Sequence, residues 1–296
     1  MRATFAPGRV VPMHAIRPSG VPMMSRVIGA LPDGWERTVP KFSANLSFLY
    51  TDLPFIERFA AAARDGFGAV EYVSPYEETP EAIAEALGEN GLTQALFNLP
   101  AGNWAGGERG IGCLGDRVEA FRRGVDTAVR YAAALGCTRI NCLAGIAPAG
   151  STEAERDAVL VANLKYAAPR LADAGIQLLI EPINLRDIPG FAVSTTHHAE
   201  RLLDAVGSDN LFIQYDFYHA QVSQGDLLPT YARLRERIAH VQIADNPGRN
   251  EPGTGEINYG FVFAELDRLG YGGWVGCEYR PLAGTTAGLG WMTPYL

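Results

Sequence analysis

A single-domain α/β fold, the (β/α)8 TIM barrel, is the architecture that this sequence predicts. Three observations carry the expectation. From Lys41 onward, short apolar runs bounded by turn residues alternate with longer helical stretches, the pattern of βα units feeding a parallel sheet. The apolar runs number eight within 41–296, and a barrel of this kind typically takes about 250 residues. Several helical stretches end on glycine, as left-handed C-caps prefer. A doubly wound open sheet is the competing architecture, and no break in composition marks a second domain.

The elements follow in order. Strand 42–49 leads to helix 54–65, closed by Gly66; strand 69–73 leads to helix 80–90, closed by Gly91. Strand 93–99 precedes helix 116–135 and Gly136, and strand 139–144 precedes helix 152–174 and Gly175. In the second half, strand 177–183 is followed by helix 195–206 and Gly207, and strand 211–217 by helix 227–238. Strand 239–244, helix 259–269 with Gly270, and strand 274–279 complete the set.

Residues 1–40 stand apart. Five arginines face two acids there, with six prolines and no sustained periodicity. The segment reads as a disordered extension, a transit-type leader, or a start codon placed too early, with Met23 or Met24 as rivals. It lacks the continuous apolar stretch of a secretory signal. The whole chain carries a formal charge of −8, and the surplus of three positive charges in 1–40 leaves 41–296 at −11. So acidic a barrel argues against nucleic acid, which needs a basic face. No uncharged apolar run reaches the roughly 18–20 residues that a membrane-spanning helix requires. Cys113, Cys137, Cys142 and Cys277 form no C-x-x-C pair and read as reduced core thiols of a cytoplasmic protein.

A barrel makes a sharp demand: active-site groups belong at the C-terminal ends of strands or in the loops that follow. Four successive strands meet it with Glu181, Asp216, Gln242 and Glu278. Burying an isolated carboxylate costs several kcal/mol or forces it to protonate. Three converging carboxylates therefore call for a cation. An all-oxygen set of three carboxylates and one amide suits Mg²⁺ or Mn²⁺, whereas zinc favours more His or Cys. The competing reading pairs each acid separately, for instance with Arg280 or Arg249. The long polar loop after the seventh strand carries Arg249, placed to clamp a substrate carboxylate or else to pair with Glu251 or Glu256. His219 is placed to bond a substrate oxygen, or packs without chemistry. Glu71, on the second strand, is either a further substrate contact or half of an ion pair.

These residues carry a resemblance. Glu181-Pro182-Ile183-Asn184, Asp216-Phe217-Tyr218-His219, the block from His240 through Asp245, Arg249 and Glu256 to Tyr259, and Gly276-Cys277-Glu278-Tyr279 resemble the hydroxypyruvate isomerase family. Phe42 to Ser47, Pro54 to Phe59 and Ala95 to Asn98 add to the likeness, which spans 41–296. The family is placed among the xylose isomerase-like TIM barrels. The resemblance implies interconversion of hydroxypyruvate and tartronate semialdehyde through an enediolate, in glyoxylate metabolism. It implies Glu181 and Glu278 as the proton-shuttling pair, Asp216 and Gln242 completing a metal site with them, and His219 and Arg249 on substrate oxygens. Related epimerases place His where this chain has Gln242, a weaker ligand. The expected partner is a small oxoacid, and a homo-oligomer stays open.

Other signals are weaker. Gly110-Ile111-Gly112-Cys113-Leu114-Gly115 matches a dinucleotide fingerprint but follows a loop rather than a strand. His197-His198 reads as a solvated helix start. The rivals are an isomerase or epimerase acting on a 2-oxotetronate or ketose, a metal-dependent hydrolase or nuclease, and a non-catalytic ligand-binding paralogue. Five scattered histidines oppose the multi-zinc nuclease.

Overall fold

A computed structural model describes residues 40–295. The expectations for 1–40 therefore fall outside the described residues, save Pro40. Eight parallel strands close into one barrel in sequence order, with the last pairing the first. They are β1 (Lys41–Asn45), β2 (Ala69–Tyr72), β3 (Thr93–Asn98), β4 (Arg139–Cys142), β5 (Gln177–Ile180), β6 (Leu211–Asp216), β7 (Ile238–Ile243) and β8 (Trp274–Cys277). The eight expected strands are all present. Each stops one to four residues earlier than its apolar run suggests. Leu46 and Leu49 are fully buried yet lie in a turn, where the Leu49 N–H donates to the Asn45 carbonyl at 2.8 Å. An apolar run records burial, and burial continues past the last ladder bond.

The connecting helices are α1 (Glu57–Arg64), α2 (Pro80–Glu89), α3 (Val118–Leu135), α4 (Glu153–Asp173), α5 (Thr196–Val206), α6 (Phe217–Ser223), α7 (Leu227–Leu234) and α8 (Tyr259–Arg268). A short α9 (Thr285–Gly288) and a 3-10 segment close the described chain. In α3 the buried residues Phe121, Val125, Ala128, Ala132 and Leu135 recur every three or four positions, so one stripe covers the sheet. The helix ends on Gly136 at φ 62°, a left-handed cap whose N–H returns to the Ala132 carbonyl. Thr152 and Glu155 form a reciprocal capping box at the start of α4. The seven-residue α6 was absent from the sequence expectation. Asp216 starts it by accepting from the Tyr218 N–H at 2.7 Å, so one carboxylate both ends a strand and caps a helix.

The four cysteines are free and buried, and burial pushes the Cys137 and Cys142 thiols up to about 12. Among the described residues no helix is long and apolar enough to cross a membrane.

Strand periodicity sets the character of the barrel centre. Side chains two apart share a face, and Ser43 with Asn45, Gln214 with Asp216, and His240 with Gln242 are such pairs. All six are buried and bonded within the barrel. The interior toward the C-terminal ends of the strands is thus a polar network, whereas the opposite face of the same strands packs on the helices through Phe42, Ala44, Val241 and Ile243.

Candidate active site

Of the expected catalytic pair, Glu278 follows β8 and is the more heavily contacted. Its Oε1 accepts from Arg249 Nη2 at 2.6 Å, and its Oε2 accepts from Asn45 Nδ2 at 3.2 Å and Gln242 Nε2 at 2.5 Å. Burial pushes its pKa up to about 8, against the pull of Arg249. Glu181 follows β5. Its Oε2 accepts from Asn141 Nδ2 at 3.1 Å, and its Oε1 is buried with no protein donor. Burial, then the charges of Glu278 and Asp216, hold its carboxyl well above the usual carboxylate range. Asp216 Oδ2 is likewise buried without a donor, and burial lifts that group to about 6.

His219, in the first turn of α6, stands beside both open oxygens, with Nε2 at 3.6 Å from Asp216 Oδ2 and 3.9 Å from Glu181 Oε1. Its other nitrogen decides its state. Nδ1 lies 2.6 Å from Asn184 Nδ2, and the Asn184 amide is fixed because its oxygen accepts from the Asp187 N–H at 2.8 Å. Facing both the Asn184 N–H and its NH2, Nδ1 is an acceptor, which places the proton on Nε2 and makes the 3.3 Å approach of Arg249 Nη2 to Nε2 a contact between two donors rather than a hydrogen bond. Burial, then Arg249 and Arg186, lower its pKa well below the ordinary value, so the ring is neutral. A neutral imidazole aiming Nε2–H into the site donates to a substrate oxygen and has no lone pair there for a metal.

The expected metal set divides. Glu181 Oε1, Asp216 Oδ2 and His219 Nε2 lie within 4.8 Å of one another, and the two oxygens lack other partners. Hard oxygen donors of this kind fit Mg²⁺ or Mn²⁺. Glu278 has both oxygens engaged by Arg249 and amides. Gln242 turns its NH2 toward Glu278 and toward Glu71 at 2.8 Å, while its oxygen accepts from Gln214 at 2.5 Å. In this arrangement its NH2 serves the two carboxylates and its oxygen accepts from Gln214.

Arg249 reaches the site by a backbone turn at φ 55°. Its guanidinium is buried, pairs with Glu278 and with Asp187 at 3.1 Å, and lies over the rings of Phe48 and Tyr218 at 4.8 and 5.2 Å. Its Nε has no protein partner. The alternative pairing with Glu251 or Glu256 is not seen. Glu251 instead accepts from the Leu282 N–H, and Glu256 accepts from Gln221 and Asn246. The loop that aims Arg249 is organised by Asp245. Its carboxylate accepts the backbone N–H groups of Asn246, Gly253, Gly255 and Ile257 at 2.8 to 3.0 Å.

Glu71 takes the paired one of its two expected readings. It is fully buried inside the barrel, and its oxygens accept from Ser43 at 2.7 Å, Asn45 at 3.3 Å and Gln242, with His240 Nε2 at 2.8 Å. Both oxygens are engaged by protein donors, so Glu71 is paired with His240 and amides rather than with a substrate. His198 is also corrected: it is buried against Asp157 at 2.9 Å instead of solvated, while His197 is exposed. The glycine run at 110–115 packs its first residue on Leu143, where a Cβ would lie 2.3 Å from a backbone oxygen. The donors Asn45, Asn141, Asn184 and Gln214, and the acid Asp187, were not singled out from sequence. Gln214, two residues before Asp216 on the same strand face, is the one that spacing could have signalled.

With this geometry in view, the likenesses are specific. Residues 59–295 match the family described as xylose isomerase-like TIM barrel. The chain is 52% identical over 255 residues to hydroxypyruvate isomerase of Escherichia coli, covering 86% of this chain and 99% of that one. It is 47% identical to 2-oxo-tetronate isomerase of Cupriavidus necator, covering 87% and 99%. A crystal structure titled AP endonuclease, family 2, from Brucella melitensis superposes with a TM-score of 0.84 at 43% identity, covering 86% and 99%. By family match, identity and coverage alike, the chain belongs to the xylose isomerase-like TIM barrels, in the branch that holds the hydroxypyruvate and 2-oxo-tetronate isomerases.

Proposed function

We propose that this chain is an isomerase interconverting hydroxypyruvate and tartronate semialdehyde by carboxylate-mediated proton transfer. The observation that carries the reading is one site holding two buried glutamates, Glu181 and Glu278, beside a neutral imidazole donor and a buried guanidinium. The 52% identity to the Escherichia coli enzyme supports the choice of substrate.

The chemistry follows from the parts. One carboxylate removes a proton from C3 of hydroxypyruvate, leaving an enediolate; the other carboxylic acid protonates C2, and a proton passes between the two substrate oxygens. Burial raises both carboxyls and the charge of Glu278 raises Glu181 further, so the pair retains one proton at neutral pH and supplies one acid and one base within the site. His219 Nε2–H donates to the oxygen that gains charge, and a buried donor of this kind acts without reorganising. Arg249 holds Glu278 in place and offers its open Nε to the substrate's acid end. A Mg²⁺ or Mn²⁺ ion held by Glu181 and Asp216 would supply further stabilisation of negative charge on the substrate oxygens. We place the enzyme in the cytoplasm and in glyoxylate metabolism.

A second reading rests on the relatives of Cupriavidus necator and Pectobacterium atrosepticum, at 47% and 46% identity, which bear the name 2-oxo-tetronate isomerase. Proton NMR in D₂O with each oxoacid, with and without EDTA, separates the two. The larger kcat/KM on hydroxypyruvate is expected; a larger value on the four-carbon acid would transfer the assignment. Retained activity in EDTA would remove the metal from the reading.

A further inference from the structure

We propose that Glu71, bonded to His240, is a positioning residue that aims two side-chain amides at Glu278 and so fixes the geometry of one half of the proton transfer. The inference rests on the isomerase reading above.

The argument begins with two NH2 groups. Asn45 Nδ2 and Gln242 Nε2 each carry two hydrogens, and each divides them between the same two oxygens, Glu71 Oε1 and Glu278 Oε2. An amide can present either its NH2 or its carbonyl. An ionised carboxylate only accepts, so Glu71 selects the NH2 face in both. The amide oxygens are held on the other side, Asn45 Oδ1 by the Ser47 N–H at 3.1 Å and Gln242 Oε1 by Gln214. Both amides are thereby locked with a donor pointing at Glu278.

A buried carboxylate persists only when compensated. Glu71 has His240 Nε2 and Ser43 Oγ on its second oxygen, so its first oxygen stays available for the amides. The barrel wall also makes room for it. A Cβ at Gly276 would lie 2.3 to 2.6 Å from the Glu71 carboxylate atoms, and Gly276 stands two residues before Glu278. The strand that delivers the reacting carboxylate is thus shaped around the group that orients it. Nothing comparable lies beneath Glu181, whose donor Asn141 is backed by the neutral Asn98 amide at 3.1 Å.

The test measures partitioning. In D₂O, wild type and Glu71→Gln are compared for the ratio of solvent deuterium exchange into recovered hydroxypyruvate to net isomerisation. If Glu278 and Glu181 serve different carbons, displacing Glu278 alone shifts this ratio, by about fivefold or more, while kcat falls and KM stays within about twofold. A loss of folded protein lowers both rates together and leaves the ratio where it was. Gly276→Ala, which pushes the carboxylate without removing its charge, is expected to move the ratio the same way. Ser43→Ala, which removes one donor and adds no bulk, gives a smaller shift and guards against variants that fail to fold. An unchanged ratio in every folded variant overturns the proposal. A wild-type chain with neither exchange nor turnover on any oxoacid overturns instead the isomerase reading beneath it.

Discussion

Glu181 and Glu278 are the same residue type, at the ends of β5 and β8 in one barrel, yet they are seated differently. Glu278 accepts from a guanidinium and two amides, and a buried carboxylate, Glu71 against His240, stands behind those amides. Glu181 accepts from one amide backed only by a neutral one, and its second oxygen meets no donor. One carboxylate is clamped and the other is left open. The difference teaches that the site is built asymmetrically: the clamped group is held in position for its carbon, while the open oxygen is the one available to a cation or an incoming proton.

The most direct way to break this comparison is to neutralise each acid. Glu181→Gln and Glu278→Gln are both expected to lower isomerisation by about 10²–10⁴-fold, the usual loss on removing a general acid or base. Turnover by NMR reads the result, and a variant retaining wild-type turnover would strip that residue of its role. A smaller effect lies in pH. Glu278 has its folded pKa raised from 4.5 to about 8, so the native state binds its proton more tightly than the unfolded chain. That stabilisation is complete below the ordinary carboxylate range and is lost as pH rises toward about 8. EDTA-treated protein should therefore lose stability over this window, on the order of several kcal/mol, and Glu278→Gln should flatten the decline. Calorimetric Tm against pH checks it; a metal-free Tm that rises over the window would show that the Arg249 and amide contacts outweigh burial at Glu278. Smaller again are the seats. Asn141→Leu strands one carboxylate oxygen and Asn45→Leu affects two carboxylates, so urea unfolding should cost about 1–3 kcal/mol in each, more for Asn45.

Much of this was legible in the chain. The barrel followed from eight apolar runs, and Glu181, Asp216 and Glu278 followed from the rule that such barrels place chemistry at strand ends. What stayed hidden is instructive. Asn45 and Asn141 are polar residues at strand ends, and nothing in a single sequence tells a donor to a catalytic acid from an ordinary strand terminus. Glu71, on the second strand, read equally as a pocket contact or half of an ion pair; what decides its place, the donors Ser43 and His240 and the room left at Gly276, comes from other strands. Gln242 was assigned by its place among the acids. Its amide direction depends on Gln214 and Glu71, which lie far from it in sequence. Helix α6 escaped because seven residues beginning at a strand-end acid give too little period to read.

The finest probe of the clamp is Phe48, in the turn after β1, whose ring lies 4.8 Å from the Arg249 guanidinium. Tyr218 offers a second ring at 5.2 Å, and Asp187 a second anion at 3.1 Å, so Arg249 stays in the site when Phe48 is lost. A cation–π contact of this partly buried kind contributes about 1 kcal/mol, which is roughly fivefold in kcat/KM. Phe48→Ala should show that loss and Phe48→Tyr should keep the wild-type value, because the ring face is preserved. The effect must also pass through the guanidinium. In an Arg249→Met background the same Phe48→Ala change should cost almost nothing, the coupling that a double-mutant cycle measures. If the losses simply add, Phe48 acts on the substrate or on the turn itself, and the clamp on Glu278 consists of Arg249 and the two amides without an aromatic floor.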